Sequence, residues 1–600
     1  MSLHRSASLS LALPLLLAGV APAAPPPPER LLPAATLQFV CVPDVRQLRE
    51  RWGRTQMSRF FNDPALKPFL DDLDRQLPAG LTQFLGLSTD DVTRVAFGPV
   101  AWAVVRTGPG KPANVLLIDA TGKDGEMRRV QATLARWVQK RGGSSQEQDG
   151  LTLHAWAAGT PPQTYRLALA VKDGLFAASD SPADLRALLA RWGGGGSLAD
   201  NPAFKAVAAH CGAVDGQPVN LRWFLDPIGL ADVGQAAAPP SRSGDRTLAT
   251  LKKQGFDAVK GVGGIATVEA GANDLVYRAY IYAPPPYRNA MNMLRFPAGS
   301  DFTPPAWVPG DLSVYETFSW DLPQAFEAFA PLFDEVAGDG DEGAFQDVID
   351  SLKNDPNGPG LDFRREIIAQ LSGRVSIMTD AVRPATRKSE RVLVALEAKP
   401  KSAGGNPEQV LAEAMRKSLQ PDPAVKRRDF QGHVIWEIIA KEPKKGGKGG
   451  PPVKLPNAAI AVANGQLFIA THVGLLEQVL RKGDRPRLAG QADYQQVTRE
   501  LERLGAGKDS LRLFARPAED FRTTYELARL NQLEGAESVY SKLLLGLLKG
   551  AEADGLKVVL NGSLLPEFGT LSKHLGPAGA FVVSHPDGWE LVGVQMKRLP

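Results

Sequence analysis

The side chains with the widest chemical reach in this chain are its imidazoles, its two thiols and one acidic run. Beyond the N-terminal segment the imidazoles are His154, His210, His433, His472, His574 and His585. A hydrolytic triad joins a nucleophile, a base and an orienting acid. None of these histidines adjoins the G-x-S-x-G turn that lifts a serine out of a strand-to-helix corner. His472 follows Thr471 at the end of an apolar run, where a surface turn residue is expected. Zinc sites carry H-E-x-x-H or closely spaced cysteines. This chain has neither, and Cys41 and Cys211 stand far apart.

Asp334, Glu335, Asp339, Asp341 and Glu342 offer oxygen ligands among glycines. They lack the regular D-x-D-x-D-G spacing with a distal Glu that calcium loops use, so a flexible acidic loop is expected. A phosphate loop needs glycines between a strand and a helix N-terminus. Gly261-Val262-Gly263-Gly264 instead lies inside a strand-like run, where glycine marks a bulge, and Gly193 to Gly196 follows a helical pattern. Trp52, Trp137, Trp156, Trp192 and Trp223 fall where core packing is expected. The residues therefore assign no catalytic, cofactor-binding or metal-ligating position, and no cofactor.

The elements around these residues repeat. Val171 to Ser179 (VKDGLFAAS) returns as Val462 to Thr471 (VANGQLFIAT), each a strand, a tight turn with glycine and a second strand. A short helix follows each, with Leu185, Leu188 and Leu189 matched by Leu476, Val479 and Leu480, a spacing that buries one face. Asn201 to Val207 parallels Gln491 to Val497. Leu221-Arg222-Trp223-Phe224 with Pro227 parallels Leu511-Arg512-Leu513-Phe514 with Pro517. Upstream, Leu32-Pro33 parallels Val308-Pro309, and Val115 to Ile118 parallels Val392 to Ala395.

One copy reads as an opening strand over 36–42 and a helical stretch over 45–75 broken at Pro64 and Pro68. Strands over 95–105 and 115–120 follow, then a helix facing inward through Met127, Val130, Leu134 and Val138. The expected fold class is α+β: two tandem diverged copies of a module with a mostly antiparallel sheet and helices packed on it. Copy 1 spans 24–286, a linker 287–302, and copy 2 303–600. Two separately packed sheets are expected, with Phe176 and Phe468, and Leu221 and Leu511, buried at equivalent places.

Particular stretches resemble a known family. Leu32 to Val45 (LPAATLQFVCVPDV), then Phe60 and Asp63 to Phe69 (DPALKPF), resemble the start of exported bacterial proteins grouped as domain of unknown function family 3352. Leu575 to Gly579 (LGPAG) and Asp587-Gly588-Trp589 are similar to their C-terminal end. The resemblance implies export and a globular chain. It brings no activity and no site residues with it.

Export also follows from the N-terminus. His4 and Arg5 precede an apolar run from Leu9 to Val20 and the small-x-small site Ala21-Pro22-Ala23, the pattern of a signal peptide over 1–23. The run is shorter than the ~20 residues a bilayer requires, and no later stretch is apolar enough to span one. No cysteine follows the cleavage site to carry a lipid. Lys and Arg number 69 against 65 Asp and Glu, a formal net charge of +4. The densest basic run, Lys441 to Lys454 (KEPKKGGKGGPPVK), holds no aromatic and reads as a solvated loop, so no nucleic-acid partner is expected. Cys41 lies in an apolar run and is expected to be a buried free thiol, not half of a disulfide. The expected function is an exported, periplasmic or extracellular, non-catalytic envelope protein that binds or scaffolds an unknown protein or envelope component. The alternative is a periplasmic hydrolase with a site assembled from sequence-distant residues.

Overall fold

The computed structural model describes residues 25–76, 98–140, 142–148, 151–158, 165–192, 194–237, 242–299, 301–403, 405–440, 456–536, 538–553 and 558–598. The expected signal peptide over 1–23 and the whole of the Lys441 to Lys454 run lie outside them.

The chain is α+β. Its first ten strands are β1 (Thr36–Val42), β2 (Val100–Gly108), β3 (Lys111–Asp119), β4 (Ser144–Gln148), β5 (Leu151–Ala158), β6 (Tyr165–Lys172), β7 (Leu175–Ser179), β8 (Leu221–Leu225), β9 (Gly261–Ala270) and β10 (Asn273–Tyr282). The next ten are β11 (Val314–Ser319), β12 (Leu371–Ala381), β13 (Glu390–Ala398), β14 (Val425–Phe430), β15 (His433–Ile438), β16 (Ala458–Ala463), β17 (Gln466–Ala470), β18 (Leu511–Ala515), β19 (Ala578–His585) and β20 (Gly588–Met596).

Among the described residues every pairing is antiparallel, and the strands form one 20-stranded sheet. From one end the order is β4-β5-β6-β7-β3-β2-β1-β8-β9-β10. β10 then pairs with β20, from Asn273 opposite Met596 to Tyr282 opposite Gly588. The order continues β19-β18-β11-β12-β13-β17-β16-β15-β14. The expected pair of separate sheets is therefore corrected to one. The last strand of each half alternates apolar residues and has an open edge, and each edge satisfies the other's backbone groups.

Helices cover both faces. In the first half, helices Pro182–Arg191 and Pro202–His210 bury Leu185, Leu189 and Val207 against Phe39, Cys41, Ile265 and Tyr280. The helix Asp124–Lys140 places Met127, Val130 and Val138 on the opposite face, against Ile118, Trp156 and Phe176. In the second half, Leu476, Val497 and Leu501 cover Tyr315, Phe468 and Phe514, while Leu411 and Ala414 lie with Leu371 and Leu467.

Two helical layers cross between the halves. The stretch over 45–75 divides into Val45–Arg54, Gln56–Phe61 and Lys67–Gln76. It breaks at Pro64 as expected, but the other break falls at Thr55, and Pro68 sits in the first turn of the third helix, where its missing N–H costs nothing. Its Phe60, Leu66 and Phe69 pack with Tyr525, Phe568 and Leu571 of the second half. Reciprocally, the helix Leu322–Val336 reaches back: Glu335 pairs with Lys253, and Pro331 accepts a hydrogen bond from Gln254 Nε2 at 3.0 Å. The segment between β10 and β11 packs its fully buried Met291 with Ala283 and Trp589.

Three expectations need adjusting. Gly263 and Gly264 sit in regular pairing, with no bulge. They are required because a Cβ on Gly264 would lie 2.1 Å from the Arg278 carbonyl oxygen, and one on Gly263 2.9 Å from Val207. Phe176 and Phe468 are both buried, in β7 and β17, but Phe176 faces Val171 whereas Phe468 faces Ala461. Counted from the turn they differ by one residue, and one residue reverses the face a strand presents. Leu221 and Leu511 are only half-buried. The core positions of their strands are Phe224 and Phe514, three residues on and so on the other face.

Candidate functional site

The densest gathering of chemically capable side chains lies beside the β10–β20 seam. Asn201 caps the helix Pro202–His210, its side chain accepting from the N–H groups of Ala203 and Phe204, with Pro202 pre-set for the first turn. The helix runs over β9 and β10 and ends in His210. The His210 ring stacks on Tyr280 with centroids 3.9 Å apart and an interplanar angle of 3°. His585, the last residue of β19, meets His210 edge to face at 4.6 Å. Its Nε2 is 3.3 Å from Oε2 of Glu590 on β20.

The surroundings hold these groups in place. Arg278 Nη1 lies 3.5 Å from Glu590 Oε1, and the Tyr280 hydroxyl donates to Asp587 Oδ1 at 2.5 Å. Burial first, and then the Asp587 carboxylate, push the Tyr280 phenol well above its usual range. Cys211, next along the chain, is buried, and burial followed by the charge of Glu590 pushes its thiol up to about 12. Burial likewise pushes Cys41 up to about 12. Both cysteines are free. Because the thiolate is the nucleophile, neither is expected to react with an aromatic disulfide reagent at pH 8 in the native state. Both should react once denaturant is added, as read by thiolate release, and fast native labelling would contradict the burial.

Other histidines form pairs. Ser145 Oγ lies 2.8 Å from Nδ1 of the buried His154, directly across the β4–β5 ladder, and burial lowers the pKa of that imidazole. His574 Nε2 lies 3.3 Å from Asp63 Oδ2, which Lys573 also contacts, while Asp63 Oδ1 accepts from the Ala65 N–H. Among the described residues His154 has the hydroxyl without a hydrogen-bonded carboxylate, and His574 the carboxylate without a hydroxyl. His472 stands at the N-terminal boundary of the helix Val473–Leu480 without capping it, its ring bonded instead to Thr471 Oγ1 at 2.9 Å and to the Lys388 carbonyl at 3.0 Å.

The acidic insert is ordered by its own backbone. Asp334 accepts from the N–H groups of Gly343 and Phe345 at 2.9 and 2.7 Å, so it caps the helix Ala344–Asn354. Trp156 is buried as expected, but Trp52 is exposed and stacks on Phe61 at 6.4 Å.

Open clefts line the second half. One of about 700 Å³ is bordered by Lys353, Arg365, Lys399 and Lys417 against Asp362 and Glu366. Another of about 630 Å³ has Arg391, Arg481 and Arg485 against Asp311. A third, of about 480 Å³, has Arg383, Lys388 and Arg391 and, among the described residues, no lining carboxylate, though Arg391 pairs with Asp380 and Arg383 with Glu519.

Sequence reasoning named His210 and His585 only as isolated bases and passed over Glu590. His585 and Glu590 flank one hairpin turn, which is a local signal. Their approach to His210 carries none, because it depends on how the sheet halves join.

No protein-family model and no curated protein matches this chain. A solved structure described as crystal form I of TP0453 is similar over 50% of this chain and 81% of its own, at 8% identity and a TM-score of 0.19, a likeness that carries no argument. Among the described residues, no helix is long and apolar enough to cross a membrane.

Proposed function

We propose that this chain is an exported, non-catalytic envelope protein, built from two diverged copies of one module, that binds or scaffolds a protein or envelope component. The duplication is supported by the strand order, in which each of the first ten strands and the strand ten later hold the same place. Detailed contacts recur with it. Pro33 bridges Ser197 as Pro309 bridges Arg487. Gly263 lies under Val207 as Gly579 lies under Val497, each facing the phenylalanine of the Leu-Arg-x-Phe strand. The resemblance to domain of unknown function family 3352 and the signal-like N-terminus support export.

The observation that carries binding is the set of open, cation-rich clefts in the second half, which present more positive than negative groups to an anionic surface. Arg365 and Arg481 are exposed on two of them. Crosslinking in the native envelope is expected to trap a saturable anionic partner. Arg365→Glu with Arg481→Glu should cut its yield several-fold while the melting temperature stays unchanged. An equal yield from the charge-reversed protein would refute this reading.

A second reading, a periplasmic hydrolase, draws on the convergence of His210, His585 and Glu590, groups remote in sequence. Turnover of ester, peptide or glycosidic substrates that is lost on changing His585 would favour it.

A further inference from the structure

We infer that His210, His585 and Glu590 form a binding site for one divalent transition-metal ion of the zinc type, clipping the first half of the sheet to the second. The donor atoms of the three side chains all lie within 4.8 Å of one another. An ion with bonds of ~2.0–2.1 Å holds tetrahedral donors roughly 3.4 Å apart. The His585–Glu590 pair is already at 3.3 Å, so small rotations of the side chains bring in His210.

Three features go beyond proximity. The donors come from three elements, a helix end, a strand end and the facing strand, so the backbone fixes their directions. The His210 ring is held by its stack on Tyr280, whose hydroxyl is in turn tied to Asp587. Neither ring nitrogen of His210 is hydrogen-bonded among the described residues, whereas Arg278 occupies one oxygen of Glu590 and leaves Oε2 toward His585. An outer partner that orients a ligating carboxylate is what metal sites use.

Two imidazoles and a carboxylate suit zinc, cobalt and nickel, and disfavour magnesium and calcium, which take oxygen donors. Three protein ligands leave a fourth position open. Because His210 belongs to the first ten-strand half while His585 and Glu590 belong to the second, an ion bound to all three ties the helix end across the seam.

The test uses the untagged full chain, stripped with chelator and titrated with Co(II) and with Zn(II). One equivalent of Co(II) is expected to give the visible bands of four-coordinate cobalt, displaced by Zn(II), and Zn(II) should raise the melting temperature. His210→Phe keeps a ring to stack on Tyr280 and removes the donor. It should weaken Co(II) binding by at least about tenfold with an unchanged circular dichroism spectrum. His585→Gln should do the same. No Co(II) signal up to ~1 mM, or equal binding by the His210→Phe protein, overturns the assignment. Should His210→Phe fail to fold, the wild-type cobalt spectrum and its one-to-one stoichiometry decide the matter.

Discussion

Expressed alone, residues 24–286 and residues 303–600 are each expected to aggregate or remain largely unfolded, and to form a soluble one-to-one complex when produced together. Cutting between them removes β20 from β10 and β10 from β20 along the full ladder from Asn273–Met596 to Tyr282–Gly588, leaving each as an open edge. A bare strand with buried alternate residues such as Val276 and Tyr280 is a template for non-native pairing. The cut also divides the cluster in which Phe60, Leu66 and Phe69 meet Tyr525, Phe568 and Leu571. The buried Leu66 and Leu571 each cost about 1.5–3 kcal/mol when returned to water, and the half-buried Phe60 and Phe69 add to this. Size-exclusion chromatography and circular dichroism of the two pieces, separate and combined, make the measurement. A single half that is monomeric and melts cooperatively would show that the modules are independent after all.

Phe468→Ala is expected to lower the unfolding free energy by about 3–5 kcal/mol, the range for deleting a phenyl ring from a core that cannot collapse. The residue is fully buried, meets Trp307 edge to face at 5.0 Å, and stands in the largest cluster beside Leu475 and Leu476. Its own strand is paired on both sides, so the backbone cannot shift to fill the space and the cavity should persist. Urea denaturation should show a lower midpoint with the slope unchanged. A loss below about 1 kcal/mol would mean that the surrounding helices close the gap.

Local structure was legible in the sequence to the extent that local rules made it. The opening strand was read as 36–42 and found as Thr36–Val42, because Phe39 and Cys41 alternate with polar or half-buried neighbours and Pro43 ends the run. The hairpins containing Gly174 and Gly465 were legible because their Asp-Gly and Asn-Gly turns need left-handed backbone, which both adopt. The match of Phe176 to Phe468 failed by one residue, since similarity of type outweighed counting from the turn. Gly264 was read as a bulge because sequence cannot report a neighbouring carbonyl 2.1 Å from its missing Cβ. The joining of halves was beyond reach for a related reason. β10 and β20 each look like an edge strand, and nothing local says that one edge completes the other. The His210–His585–Glu590 cluster inherits that blindness, since it exists only once the seam has formed.

The strand order has a further consequence for how many chains can associate. β10 and β20 hold the same place in their two halves, so the union is head to head, and a head-to-head union terminates growth where a head-to-tail one would propagate it. What remains at the two extremities is β4, with the exposed residues Ser144 to Glu147, and β14, with Lys426, Arg427 and Asp429 exposed. Polar and charged strands make poor templates for another copy. On the duplication proposed above, the molecule would be a capped pair written into one polypeptide, its adhesive edges spent on each other and its outer edges polar.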